Sequence, residues 1–178
     1  NSIEIVTNLE EFLKENIFNY LYFTDFVKEN FRMEKEGIIE VFKQYHDLPF
    51  WQIKNKIKGQ LSVKSALWDF EYNERKTVTA IERYVRYLTP KNLNRKLYSD
   101  FLKQYGFKFE LDHGKLKYED AFPLMLIDNY LQGLNSFTSV QHLVVDEMQD
   151  YSPMQFRVLN ILYPCSKTIL GDYGQSIC

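Results

Sequence analysis

Apolar and polar positions over the first hundred residues follow a helical rhythm. Val78, Ile81, Val85 and Leu88 recur at the spacing of one helix face, with Tyr84 beside them, while Lys76, Arg83 and Arg86 fall largely off that stripe. This helix closes at Thr89-Pro90, because a residue preceding proline disfavours the α conformation. Upstream, Leu9 to Phe31 reads as one helix or two, starting near Thr7-Asn8 with Glu10 and Glu11 in the first turn, and its many aromatics suit a core. A further helix is expected across Lys35–Tyr45, broken by His46-Asp47-Leu48-Pro49. The basic stretch after Leu48-Pro49-Phe50-Trp51 is ambiguous between helix and strand, and Leu93–Tyr105 reads as a helix ended by Gly106.

Past Gly106 the period changes. Phe107-Lys108-Phe109-Glu110-Leu111 alternates apolar and charged, and with Asp112-His113-Gly114 and Leu116–Tyr118 it predicts a β-hairpin at a seam between subdomains. Leu143-Val144-Val145 is short, β-branched and free of alternation, which predicts a strand buried on both faces of a parallel sheet. A short helix follows, with Met154, Phe156, Val158, Leu159 and Leu162 as packing positions. Thr168-Ile169-Leu170 is a second strand of the same kind, ending in the polar turn Gly171-Asp172-Tyr173-Gly174-Gln175-Ser176. A right-handed crossover would make the two strands parallel, with both acidic ends on one sheet edge.

Composition supports folding: 45% hydrophobic and 16% aromatic residues provide for a core and exclude a disordered chain. No apolar run approaches the roughly 18 residues of a membrane span. Neither of the two cysteines has metal-ligand spacing, so a reduced, cytoplasmic setting without membrane association is expected. The net charge of −2 conceals segments of −5, +8 and −5 over residues 1–50, 51–118 and 119–178. In the basic middle, Lys54, Lys56, Lys58 and Lys64 surround Gly59, Arg83 and Arg86 come next, and Lys91, Arg95, Lys96, Lys103 and Lys108 follow, with Trp51, Trp68, Tyr98 and Tyr105 interleaved among the cations. Cations neutralise phosphates and aromatics stack on bases, so this pattern predicts either a nucleic-acid surface or a solvated face over an aromatic core. The three histidines receive no chemical role.

The acidic strand ends carry the candidate chemistry. In open α/β sheets the carboxyl ends of strands are the ligand side, and a Mg²⁺ that bridges nucleotide phosphates needs only one or two carboxylates. Asp146 is the expected metal partner, and Glu147, on the other side of the backbone, can hold a water for in-line attack on a γ-phosphate. Gln175 can read a phosphate without adding negative charge. The alternative is a capping pair, in which Asp150 or Ser152 starts the helix that Pro153 opens and the acids favour its positive end.

VVDEMQD and LGDYGQSI resemble motifs II and III of superfamily 1 DNA helicases of the UvrD/Rep/PcrA type, D-E-x-Q-D being their Walker B box and G-D-x-x-Q-S-I their coupling motif. The intervening DYSPMQFRVLNILYPCSKTILGD and the preceding YEDAFPLMLI resemble more narrowly the HelD branch, helicase-like ATPases of Gram-positive bacteria that act on RNA polymerase. The resemblance covers residues 118–178, and the first hundred residues carry no recognisable motif. It implies roles residue by residue: Asp146 as Mg²⁺ ligand, Glu147 as catalytic base, Gln149 and Asp150 as a polar pair tying the strand end to neighbouring motifs. Gln175 would be the γ-phosphate sensor, with Asp172 supporting its loop. Where the family commonly has Tyr after Q-S-I, this chain has Cys178, which cannot stack on a base.

The resemblance therefore implies an α/β fold: a partial RecA-like parallel sheet of the P-loop NTPase type over 118–178, joined to a mostly helical accessory subdomain over 1–117 placed like the 1B insertion. No G-x-x-x-x-G-K-[ST] run occurs, Gly114-Lys115 being the nearest approach. An internal piece is thus expected, binding no ATP and hydrolysing none by itself. Its parent, with the remaining helicase domains, would use ATP and Mg²⁺ to move on DNA. The rivals are a HelD-like ATPase that remodels RNA polymerase and a non-enzymatic binding module with a degenerate ATPase core.

Overall fold

In the computed structural model, which describes residues 2–172, the chain divides into two units. One runs from Leu13 to Lys96; the other joins the residues up to Phe12 to those from Leu97 onward. Within the second of these, residues after Leu97 pack with the first helix: the Phe12 and Phe101 rings lie 5.5 Å apart, and the Asn8 amide donates to the Tyr105 hydroxyl at 2.8 Å.

Helix α1 (Ser2–Asn16) ends in a 3-10 turn at Ile17–Tyr20, and the chain then becomes extended. The expectation of helix as far as Phe31 is corrected here. Strands β1 (Phe26–Lys28) and β2 (Phe31–Met33) form an antiparallel hairpin, with Glu29 at its turn in the left-handed region at φ 48°. Phe26, Lys28, Phe31 and Met33 are buried while Val27 and Arg32 face out, so the two-residue period was present under an aromatic content that suits either structure.

Helices α2 (Lys35–Gln44), α3 (Phe50–Trp68) and α4 (Glu74–Leu88) complete the helical unit, and α5 (Leu93–Gln104) leads out of it. Pro49 precedes α3, whose buried Phe50, Ile53, Ile57, Leu61 and Ser65 settle the ambiguous segment as helix. In α4 the inner face is Thr77, Ile81, Val85 and Leu88, whereas Val78, assigned to the stripe by pattern, is 49% exposed. Burial of the threonine is possible because its hydroxyl donates to the Asn73 carbonyl at 2.8 Å. Asn73 also caps α4, accepting the Lys76 N–H at 3.0 Å.

A buried ion pair pins the hairpin to the end of α3. Lys28 Nζ lies 2.6 Å from Asp69 Oδ2, with the two side chains 5% and 0% exposed. The Lys28 ammonium holds the Asp69 carboxyl below its ordinary value of 3.8, and Asp69 raises Lys28 in turn. A carboxylate whose folded value lies below its unfolded one stabilises the fold above the unfolded value and loses that contribution as pH falls through the folded one. Asp69→Asn is therefore expected to lower the thermal midpoint at neutral pH and to flatten its fall below pH 3.8, read by circular dichroism.

In the second unit, α5 stops at Gly106 with φ 76°, and the Phe107 N–H returns to the Leu102 carbonyl at 3.0 Å. The predicted hairpin over 107–118 is reduced to its turn. Asp112 and Lys115 exchange two backbone hydrogen bonds of 2.9 and 2.8 Å around His113 and Gly114, both at positive φ, but no ladder extends from them. Phe109 instead sets its ring 5.4 Å from Tyr98, so ring packing replaces strand pairing. Helix α6 (Tyr118–Gln132) is tied to α5 by the Tyr98 hydroxyl, which donates to Asp120 Oδ1 at 2.7 Å in a buried position.

Strand β3 (His142–Val145), a 3-10 turn at Met148–Asp150, helix α7 (Pro153–Leu162) and strand β4 (Ser166–Ile169) follow. The strands pair in parallel, His142 opposite Ser166 through Val145 opposite Ile169, as the crossover argument predicts. Burial on both faces is not found: Val145 is buried but Val144 is 60% exposed. A strand hides both faces only with a layer on each, and this sheet has two strands among the described residues. Among the described residues no helix is long and apolar enough to cross a membrane.

Candidate functional site at the parallel strand ends

Pairing between the strands continues past the ladder. The Leu170 N–H donates to the Val145 carbonyl at 2.8 Å, and the Met148 N–H donates to the Leu170 carbonyl at 2.9 Å. The two chains thus leave the sheet side by side, carrying Asp146 and Glu147 next to Gly171 and Asp172. Gly171 makes that approach possible: a Cβ there would lie 2.9 Å from Gln149 Oε1 and 3.3 Å from the Met148 backbone nitrogen.

Glu147 occupies the left-handed region at φ 51° and ψ 47°, a conformation costing a non-glycine residue about 1–3 kcal/mol. Local bonds hold it. Asp146 Oδ1 accepts the Glu147 N–H at 2.9 Å, the Asp150 N–H closes the turn onto the Glu147 carbonyl at 2.9 Å, and the Gln149 side-chain amide donates to the Glu147 carboxylate. The other end of the Gln149 amide accepts the Asp172 N–H at 3.3 Å. One side chain thereby bridges the acid after β3 and the backbone after β4.

The capping alternative is met by Ser152 alone. Its hydroxyl accepts the Gln155 N–H at 3.3 Å while Gln155 Oε1 accepts the Ser152 N–H at 2.6 Å, a reciprocal box with Pro153 opening α7. Capping therefore accounts for Ser152 and leaves the exposed carboxylates of Asp146, Glu147 and Asp150 without a structural duty at the start of α7. Hard oxygens of one or two carboxylates at a strand's carboxyl end suit a Mg²⁺ that arrives with phosphates and keeps most of its waters. Asp146 fits that donor chemistry best, lying directly at the strand end with one oxygen fixed by the Glu147 N–H.

Gln175 and Cys178 lie outside the described residues. Sequence reasoning missed Gly171 as a site residue, although a glycine directly after an apolar run was the signal. It also placed Gln149 only in a polar pair, without its double hydrogen bond.

Of the basic residues read either as a nucleic-acid surface or as a solvated face, Lys54, Lys56, Lys58 and Lys64 all lie on α3. At about 100° per residue, Lys54 and Lys58 share a flank of α3 while Lys56 points roughly opposite. Lys54 lies 5.3 Å from the Phe50 ring centroid and Lys56 5.0 Å from that of Tyr45, while Lys58 reaches Glu82 of α4 at 2.8 Å. Burial, then the neighbouring Lys58 charge, lowers the Lys54 pKa from its ordinary value. Lys64 borders a groove with Phe31, Met33 and Trp68, Arg83 borders a different one with Lys28 and Lys76, and Arg86 is exposed.

Among the described residues the chain is a mixed helix and strand protein, mostly helical with a small parallel sheet, an architecture consistent with a helicase N-terminal domain. The chain belongs to the UvrD/Rep helicase family, since the UvrD/REP helicase N-terminal domain matches residues 6–178. No curated protein matches it. The match takes in the first hundred residues, where no motif was legible. Helicase or translocase action is the function this family indicates; its members typically use ATP and Mg²⁺, and DNA is the partner the family implies.

Proposed function

We propose that this chain supplies the metal-holding and water-orienting half of an ATP site in a DNA helicase or translocase, and the link from that site to motion on the nucleic acid. The observation that carries this reading is the Gln149 amide, which donates to the Glu147 carboxylate and accepts from the Asp172 N–H. Asp146 would hold the Mg²⁺, which when bound would supply charge neutralisation at the phosphates. Glu147, oriented by Gln149 and by its left-handed backbone, positions the attacking water and takes its proton. Gln175, three residues past Asp172, reads the γ-phosphate. A displacement of the Asp172 segment then reaches Glu147 through one side chain, which ties the chemical step to movement of the loop.

Hydrolysis is direct, with no covalent intermediate. The helical unit acts as the 1B-like accessory subdomain, and the strand ends belong to a RecA-like core. The test is Asp146→Ala in a protein carrying this chain together with its phosphate-gripping loop. DNA-stimulated hydrolysis is expected to fall at least a hundredfold, with the residual rate insensitive to Mg²⁺; a Mg²⁺-dependent rate near the original would overturn the assignment.

A second reading is favoured by the end of α3 and the loop after it, where Leu67, Trp68 and Phe70 are 71%, 68% and 97% exposed. In it the helical unit is a HelD-like arm that docks on protein, and retention of RNA polymerase against forked DNA in a pull-down separates the two.

A further inference from the structure

Lys54, Lys56 and Lys58 are engaged by rings and an acid, whereas Lys91, Arg95 and Lys96 of the same basic segment gather at one cavity of the helical unit. Between the segment after α1 and the start of α5 lies a cavity of about 550 Å³ lined by Tyr20, Tyr22, Pro90, Lys91, Arg95 and Lys96, with Asn19, Asn92 and Leu93 completing the wall. Its size falls within the range of small-ligand pockets, roughly 300–1,000 Å³. Three of its nine lining residues are cations and none is an acid, so the lining itself favours an anionic group.

Neither Lys91 nor Arg95 is held in an ion pair among the described residues, and both are exposed. Tyr22 is 65% exposed, yet its backbone is fixed, the N–H donating to the Leu88 carbonyl at 3.1 Å. Leu93, 3% exposed, anchors the opposite wall in the core. An open aromatic ring on a fixed backbone, beside Lys91 and Arg95, is the pairing that takes an unstacked base and its phosphates.

We propose that this cavity is a subsite for single-stranded nucleic acid, with a base stacked on Tyr22 and the adjoining phosphates on Lys91 and Arg95. An acidic peptide would use the cations but would have no need of the exposed ring, so the strand is the better fit. The proposal rests on the reading of the chain as part of a nucleic-acid translocase, and it adds a strand contact on the helical unit, apart from the strand ends.

The experiment is fluorescence anisotropy of a labelled oligothymidylate with the full chain over a range of salt. Tyr22→Ala is expected to weaken binding about tenfold and Tyr22→Phe to leave it unchanged, since only the ring is used. Lys91→Gln with Arg95→Gln should reduce the slope of log affinity against log salt by about 1.4, two contacts at roughly 0.7 each on a single strand. The positions are exposed, and unchanged circular dichroism separates these effects from misfolding. An unaltered slope, a Tyr22→Ala affinity within twofold of the original, or no binding by the unaltered chain at low salt would overturn the subsite. So would a polyglutamate peptide that binds more tightly than the oligonucleotide and is indifferent to Tyr22. If the subsite fails while Asp146→Ala still abolishes hydrolysis, the subsite falls alone; the reverse outcome removes the ATP-site reading.

Discussion

Glu147→Gln, placed in a protein that carries this chain with the rest of its nucleotide site, is expected to lower ATP hydrolysis by about 10²–10⁴-fold, the usual worth of a positioned general base. Glutamine keeps the shape of the side chain and can still accept from the Gln149 amide, so the left-handed turn and the bridge to Asp172 should persist. What is lost is the capacity to take a proton. ATP affinity should therefore stay close to the original or rise, because one negative charge beside the phosphates is gone. Single-turnover phosphate release and equilibrium nucleotide binding measure the two quantities separately. Turnover within a few fold of the original would remove Glu147 as the base and leave its strained backbone to be explained by packing.

Phe50→Ala is expected to cost about 3–5 kcal/mol, measured by urea titration of the helical unit's circular dichroism. Phe50 is fully buried at the start of α3, and its ring lies 6.3 Å from that of Phe42. Truncation leaves a cavity that α2 and α3 cannot close without moving their remaining contacts. It also removes the ring beside Lys54, a cation already partly desolvated. Against a typical domain stability of about 5–15 kcal/mol such a loss leaves the unit marginal. Phe50→Leu should lose markedly less, since most of the volume is retained. Equal losses for both variants would mean that aromatic geometry, and not the filled volume, holds this part of the core.

The candidate site was legible because it is local. Each strand and its acidic end lie within ten consecutive residues, and a strand, helix, strand order has one favoured handedness. Ser152, Gln155 and Pro153 were likewise visible as a helix start, and the structure decides between Ser152 and Asp150 in favour of the serine. The hydrogen bond that the Gln149 amide accepts from the Asp172 N–H was not legible, since α7 separates the two in sequence. The same holds for Gly171, whose need to be glycine comes from Met148 and Gln149 across the strand ends.

For the fold, the sequence by itself determined the helices with a clear apolar stripe, the breaks at Pro49 and Gly106 and the parallel strand pair, because periodicity and backbone restrictions act over a few residues. Only the tertiary structure decided that Phe26 to Met33 is a hairpin, that Phe109 packs on Tyr98 and that Lys54 and Lys56 of α3 meet different rings, Phe50 and Tyr45. Aromatic residues and charges take their partners from elements distant in sequence, so their position along the chain does not specify what they meet. The acids after β3 were readable one strand at a time; the arrangement that makes them a site came from bringing two strand ends within a glycine's width of each other.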